Sequence, residues 1–160
     1  MARSLPRAVA RRIVGLPPHI RALRENLERV SLDEYRRALA SRTTSDLNTS
    51  VYPIERPFEI VDNYVLELAR EGLGAAEQAT GPDRAADLRR LRDGGVISAE
   101  RCKRLLEINR IRNDAQHGYV DIDPRVLYEA ASRLPEEAIA FLQDYVGWLR
   151  GLGFELSTRK

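Results

Sequence analysis

Apolar residues recur along most of this chain three and four positions apart, the spacing that gathers them on one side of an α-helix. They do not alternate with polar residues over a useful length, and β-branched residues are scattered, so strand signals are nearly absent. Helix punctuation divides the pattern. Gly15-Leu16-Pro17-Pro18 marks a break, and a helix is predicted to start near Pro18. Ser31-Leu32-Asp33-Glu34 has the spacing of a capping box and predicts a short helix reaching about Leu39. A third helix is predicted from Ser45 or Asp46 to Gly72. Pro53 and Pro57 lie inside it, which predicts a kink or a late start. Its second half is the clearer part, with Phe58, Ile60, Val61, Val65 and Leu68 on one apolar band.

Gly72, Gly74 and Gly81-Pro82-Asp83 predict a loop, followed by a short helix over residues 84–93 that ends at Gly94-Gly95. Ser98 caps a helix running to about Gln116. Asp123-Pro124 opens the last long helix, with the capping side chain directly before a proline at the first helical position. That helix reaches about Arg150 and has a candidate bend at Pro135. Five or six helices joined by short loops predict an all-α helical bundle.

A length of 160 residues with one composition throughout fits a single domain with a real core. The expected divisions are a basic, partly ordered leader over 1–16, the helical domain over 17–152 and a tail over 153–160. No apolar run approaches the roughly 20 residues of a membrane-spanning helix. A single cysteine, Cys102, rules out an internal disulfide and fits a reducing, cytoplasmic setting. The net charge of +2 hides an asymmetry: Arg3, Arg7, Arg11, Arg12, Arg21 and Arg24 all precede the first acid, Glu25. An organelle transit peptide, a basic arm for RNA phosphates and a solvated leader all fit that stretch.

The helix expected over 98–117 carries the candidate chemistry. On a wheel, Cys102, Leu105, Leu106 and Ile108 define its inner side, while Glu100, Lys103, Arg104, Glu107, Arg110 and Asp114 face water. The inner side continues as Asn109, Arg112, Asn113 and Gln116, with His117 on its edge. An apolar stripe thus becomes a polar cluster without changing direction. An inward charge is costly unless it is paired or functional. Two readings of Arg112 follow: it caps carbonyls at this helix end, or it grips an anion. Asn113 and His117, four apart, are within reach of each other, whereas Arg112 and His117 flank the cluster. No histidine, cysteine or carboxylate cluster has metal-ligand spacing, and no cofactor is expected. His19 reads as structural or solvated and Cys102 as core. The stripe of Phe141, Tyr145 and Trp148 also reads as core packing, with a share available to a dimer face.

Arg112-Asn113-Asp114-Ala115-Gln116-His117-Gly118-Tyr119 resembles the signature of the HEPN superfamily: an arginine, a polar residue, a few variable positions, then histidine. Tyr119, two past the histidine, and the following Val120-Asp121-Ile122-Asp123 look like its HepT-like branch. Residues 91–98 and 132–136 are also similar to that branch. Ala115 and Gln116 stand where members often carry aliphatic residues, and Pro53 and Pro57 fall in a helix that is usually uninterrupted.

The resemblance implies a HEPN-type bundle that pairs as a homodimer. It also implies a metal-independent endoribonuclease, the toxin of a toxin–antitoxin pair, with Arg112 and His117 catalytic and Asn113 and Gln116 in support. RNA would be cut by attack of its 2′-hydroxyl on the adjacent phosphate. Histidine exchanges protons in the useful range, and arginine offers fixed planar charge to phosphate oxygens. The resemblance further marks Tyr119 as a site where a nucleotidyltransferase antitoxin attaches AMP; by the residues alone it serves equally well as a packing residue. A non-catalytic HEPN module that binds a nucleotide or partner is the alternative. A structural adaptor, tied together by Arg112 and His117, is a third reading.

Overall fold

A computed structural model describes residues 2–117 and 122–156. Its helices are α1 (Arg7–Arg29), α2 (Leu32–Ser41), α3 (Thr44–Asp46), α4 (Tyr52–Ala75), α5 (Arg84–Asp93), α6 (Ala99–Gln116) and α7 (Pro124–Gly151). A π-helical turn, Leu47–Val51, joins α3 to α4. The described residues are therefore all-α apart from two strands of two residues each, β1 (Arg3–Ser4) and β2 (Phe154–Glu155), which pair in parallel. Helix α4 lies at the centre, packed on α1, α5 and α7, and α6 packs on α5 and α7. Tyr35, Ile54, Phe58, Leu68, Phe141 and Tyr145 are fully buried within this core.

The helix starts follow the side chains that cap them. Ser31, Asp83, Ser98 and Asp123 each accept a backbone N–H of the first turn, from Glu34, Ala86, Arg101 and Arg125 at 3.1, 2.8, 3.1 and 2.9 Å.

The prolines behave less simply. Tyr52 donates its N–H to the Leu47 carbonyl, five residues back, and Pro53 has no N–H to continue an α-helical ladder. The late start predicted from Pro53 is this π turn. Pro57 leaves the Pro53 carbonyl without its usual helical donor, and Asn26 of α1 supplies one: its Nδ2 donates to that oxygen at 2.7 Å. Helix α4 thus runs through Pro57, held by a neighbour's side chain.

The break expected at Pro17-Pro18 is absent. Helix α1 begins at Arg7 and passes through both prolines. The prolines face water, and the carbonyls they leave unbonded belong to Ile13 and Val14, the latter residue 72% exposed. On the opposite side Val9, Leu16, Ile20 and Leu23 enter the core and fix the helix there. The boundary expected between residues 16 and 17 therefore falls inside α1. The leader is not a loose segment: from Arg7 it is part of the bundle, and before that it pairs with the chain's other end. Arg3 donates its N–H to the Gly153 carbonyl at 2.9 Å, and its guanidinium lies over the Phe154 ring.

Candidate functional site

Helix α6 turns Cys102, Leu105, Ile108 and Ile111 into the core. The same side of its last two turns is polar, and there Asn109 and Arg112 are each only 8% exposed. Helix α4 meets them with Asp62, itself 2% exposed, and Asn63. Asp62 Oδ2 accepts from Asn109 Nδ2 at 2.9 Å and stands 3.5 Å from Arg112 Nη1. Arg112 donates through Nη2 to Asn63 Oδ1 at 2.7 Å and through Nη1 to Asn113 Oδ1 at 3.3 Å. Asn113 Nδ2 donates in turn to Asn109 Oδ1 at 3.3 Å. From α5, Arg84 reaches the same Asn63 oxygen at 3.1 Å. Arg112 Nε is buried and has no partner among the described residues.

Burial dominates the electrostatics of this cluster. It pushes the Asp62 carboxyl up to about 6, against the opposing pull of the Asn109 hydrogen bond and the Arg112 and Arg84 charges. Arg112 also borders a small cleft of about 70 Å³, with Glu55, Phe58, Glu59, Gln116 and Leu127 around it. Burial raises the Glu55 carboxyl as well, opposed by a 2.8 Å hydrogen bond from the Tyr35 hydroxyl.

Of the residues expected at the site, Arg112 and Asn113 are joined in one network. Arg112 reaches across to α4 and makes no hydrogen bond to a helix carbonyl among the described residues, so the capping reading of it does not hold. Gln116 is exposed at the cleft. His117 is exposed at the C-cap of α6, its backbone N–H on the Asn113 carbonyl at 3.1 Å. No hydrogen bond joins its side chain to Asn113 or Arg112 among the described residues. Tyr119, with Gly118, lies outside the described residues. The remaining candidates are structural. Cys102 is fully buried, which raises its thiol. His19 packs edge-on against Tyr64, and Phe141 and Tyr145 are core, with Trp148 against Tyr145.

Sequence reasoning missed Asp62, Asn63 and Arg84. A signal for the first was present: Asp62 interrupts the apolar band of α4 between Val61 and Val65, and an inward carboxylate needs a partner.

Chemically, the end of α6 offers two things side by side. One is a guanidinium fixed in a largely dry setting, where its charge acts strongly on an anion. The other is an imidazole open to solvent, suited to proton transfer. Among the described residues no three His, Cys, Asp or Glu side chains are grouped to hold a metal ion. No helix of the described residues is long and apolar enough to cross a membrane. No curated protein and no solved structure matches the chain. One family model does, that of Ribonuclease HepT-like, over residues 21–145, a span that includes α2 through α6 and most of α7. The chain belongs to the HepT-like ribonuclease family.

Proposed function

We propose that the protein is a metal-independent endoribonuclease of the HEPN type, acting as the toxin of a toxin–antitoxin pair. The observation that carries this reading is the end of α6, where the buried, hydrogen-bonded Arg112 is followed five positions later by the exposed His117 at the C-cap. In the reaction, the RNA 2′-oxygen attacks phosphorus as its proton passes to an imidazole. The P–O5′ bond breaks, and the departing oxygen takes a proton from a second acid. The products are a 2′,3′-cyclic phosphate and a free 5′-hydroxyl. Arg112 faces the non-bridging oxygens, where negative charge grows in the transition state.

One protomer contributes His117 alone to this chemistry, since His19, on α1, is packed against Tyr64 of α4. Acid and base together call for two copies of the motif, so the working form is a homodimer with the two α6 ends facing each other. Tyr119 follows His117 by two residues in the sequence, and AMP placed on it by a partner nucleotidyltransferase would block RNA by bulk and charge. Tyr119→Phe is expected to keep cleavage and escape that control, checked by mass spectrometry of the protein co-expressed with such a partner. The deciding experiment is cleavage of RNA by the purified protein with and without EDTA, beside His117→Ala. Cleavage that survives EDTA, leaves cyclic phosphate ends and vanishes in the variant is expected. Intact RNA with the wild-type protein would overturn the reading in favour of a partner-binding module without catalysis.

A further inference from the structure

Arg112 is a long side chain with several rotatable bonds, and a helix end fixes none of them. What fixes it is the neighbouring helix. Asn63 accepts from Nη2 at 2.7 Å, and Asp62 stands 3.5 Å from Nη1. Asp62 is held in its own right, 2% exposed and accepting from Asn109 at 2.9 Å. Arg84 on α5 donates to the Asn63 oxygen at 3.1 Å, so a third helix braces the clamp. The clamp leaves Nε unpartnered among the described residues, so it does not exhaust the donors of the guanidinium. The small cleft beside Gln116 opens onto the same side chain.

We infer that Asp62 is a positioning residue for Arg112, with Asn63 as its second anchor. Together they hold the guanidinium in the orientation in which it meets a phosphate group at the cleft. The consequence for turnover rests on the ribonuclease reading above; the clamp and its effect on phosphate binding do not. Charge on a phosphorane develops on oxygens at fixed places, so a misaimed guanidinium weakens the transition state more than the bound substrate. A packing role alone would instead show as lost stability with an unchanged rate for the folded fraction.

Two variants separate these roles. Asp62→Asn keeps the shape and removes the charge. Asn63→Ala removes the half-buried second anchor and leaves Asp62 beside Arg112, so it decides the matter if the first variant does not fold. Steady-state cleavage of a short single-stranded RNA is measured for each. In parallel, the Arg112 Nε–H resonance of labelled protein is followed as inorganic phosphate is added. Asp62→Asn is expected to lower kcat about 100-fold and Asn63→Ala about tenfold, with KM within about threefold of wild type. Arg112→Lys, which keeps charge without the planar fork, does not restore the rate. In the variants the Arg112 resonance should respond only at severalfold higher phosphate. Full kcat in the folded variants would overturn the inference. If the wild type itself leaves RNA intact, the ribonuclease reading falls and the phosphate titration decides alone. A response that weakens in the variants then supports the clamp; an identical response, or none in wild type, overturns it.

Discussion

Two buried aspartates, Asp62 on α4 and Asp87 on α5, each face an arginine, and the two pairs are built differently. Asp87 on α5 faces Arg70 of α4 and is fully buried. It accepts from Arg70 Nε and from the Gly81 N–H, each at 2.7 Å, while Arg70 Nη2 donates to the Gly81 carbonyl at 2.9 Å. Both carboxylate oxygens are used, and the Arg70 side chain remains 44% exposed, so water solvates its charge. That pair closes the loop between α4 and α5 and reads as structural throughout. At Asp62 both members are buried, the Arg112 side chain being only 10% exposed. The contact is longer, and Nε lacks a partner among the described residues. A charge placed in a dry setting without full compensation is costly, and such cost is retained where the charge acts on something else. The difference separates a pair that fastens the chain from one that holds a side chain ready.

The largest effect should come from breaking the second pair's partner chemistry. His117→Ala is expected to lower cleavage about a thousandfold, near 4 kcal/mol in barrier, with little loss of stability because the side chain is exposed. Arg112→Ala should lose activity as fully, but it also strands Asp62 in the core and should cost about 2 kcal/mol in urea unfolding. Spacing alone, which places Arg112 beyond the apolar stripe, points to a nearly silent effect on folding; its burial and its partners on α4 reverse that expectation. An Arg112→Ala protein as stable as wild type would show that Asp62 does not depend on the Arg112 charge, and the two would not be a pair to set beside Asp87 and Arg70.

That reversal shows what the sequence could and could not convey. Features decided within a few residues were legible. The caps at Ser31, Ser98 and Asp123 sit where expected, and the wheel placed Asn109 and Arg112 inward. What depended on a second helix was not. Whether Pro17, Pro18 and Pro57 end a helix depends on water or on Asn26 reaching the freed carbonyl. Likewise the partners of Arg112 lie 49 and 50 positions upstream, and no local spacing links Asn63 or Asp62 to it.

Next in size is the structural pair. Asp87→Ala leaves the Gly81 N–H without its acceptor in a turn too tight for a side chain, since a Cβ on Gly81 would sit 2.2 Å from Ala86. The loss should be about 2–3 kcal/mol, part of the Arg70 charge being recovered by water, and the melting temperature should fall by roughly 5–10 °C. Cleavage per folded molecule should stay at the wild-type rate. A drop in that rate would mean that α5, through Arg84, transmits the state of the first pair to the second.

The smallest effect is the most direct probe of the Asp62 pair. Burial holds its carboxyl near 6 in the folded chain, above the ordinary 3.8. Between those values the folded chain keeps a proton that the unfolded chain has released. Asp62 therefore favours folding most below about pH 4, and that contribution is lost as pH rises to about 6. The size is at most about 2–3 kcal/mol, from a shift of roughly two units in which the opposing pull of Arg112 and Arg84 is already counted. Other carboxylates titrate in the same range, so the measurement is a difference: urea unfolding of wild type and Asp62→Asn at several values between pH 4 and 7. The advantage of wild type over the variant should shrink by about that amount across the window. Parallel curves would mean that Asn109 and Arg112 outweigh burial and keep Asp62 ionised throughout. Its pair would then be as fully compensated as that of Asp87, and the exposed His117, not a strained Arg112, would be the feature that sets this end of α6 apart.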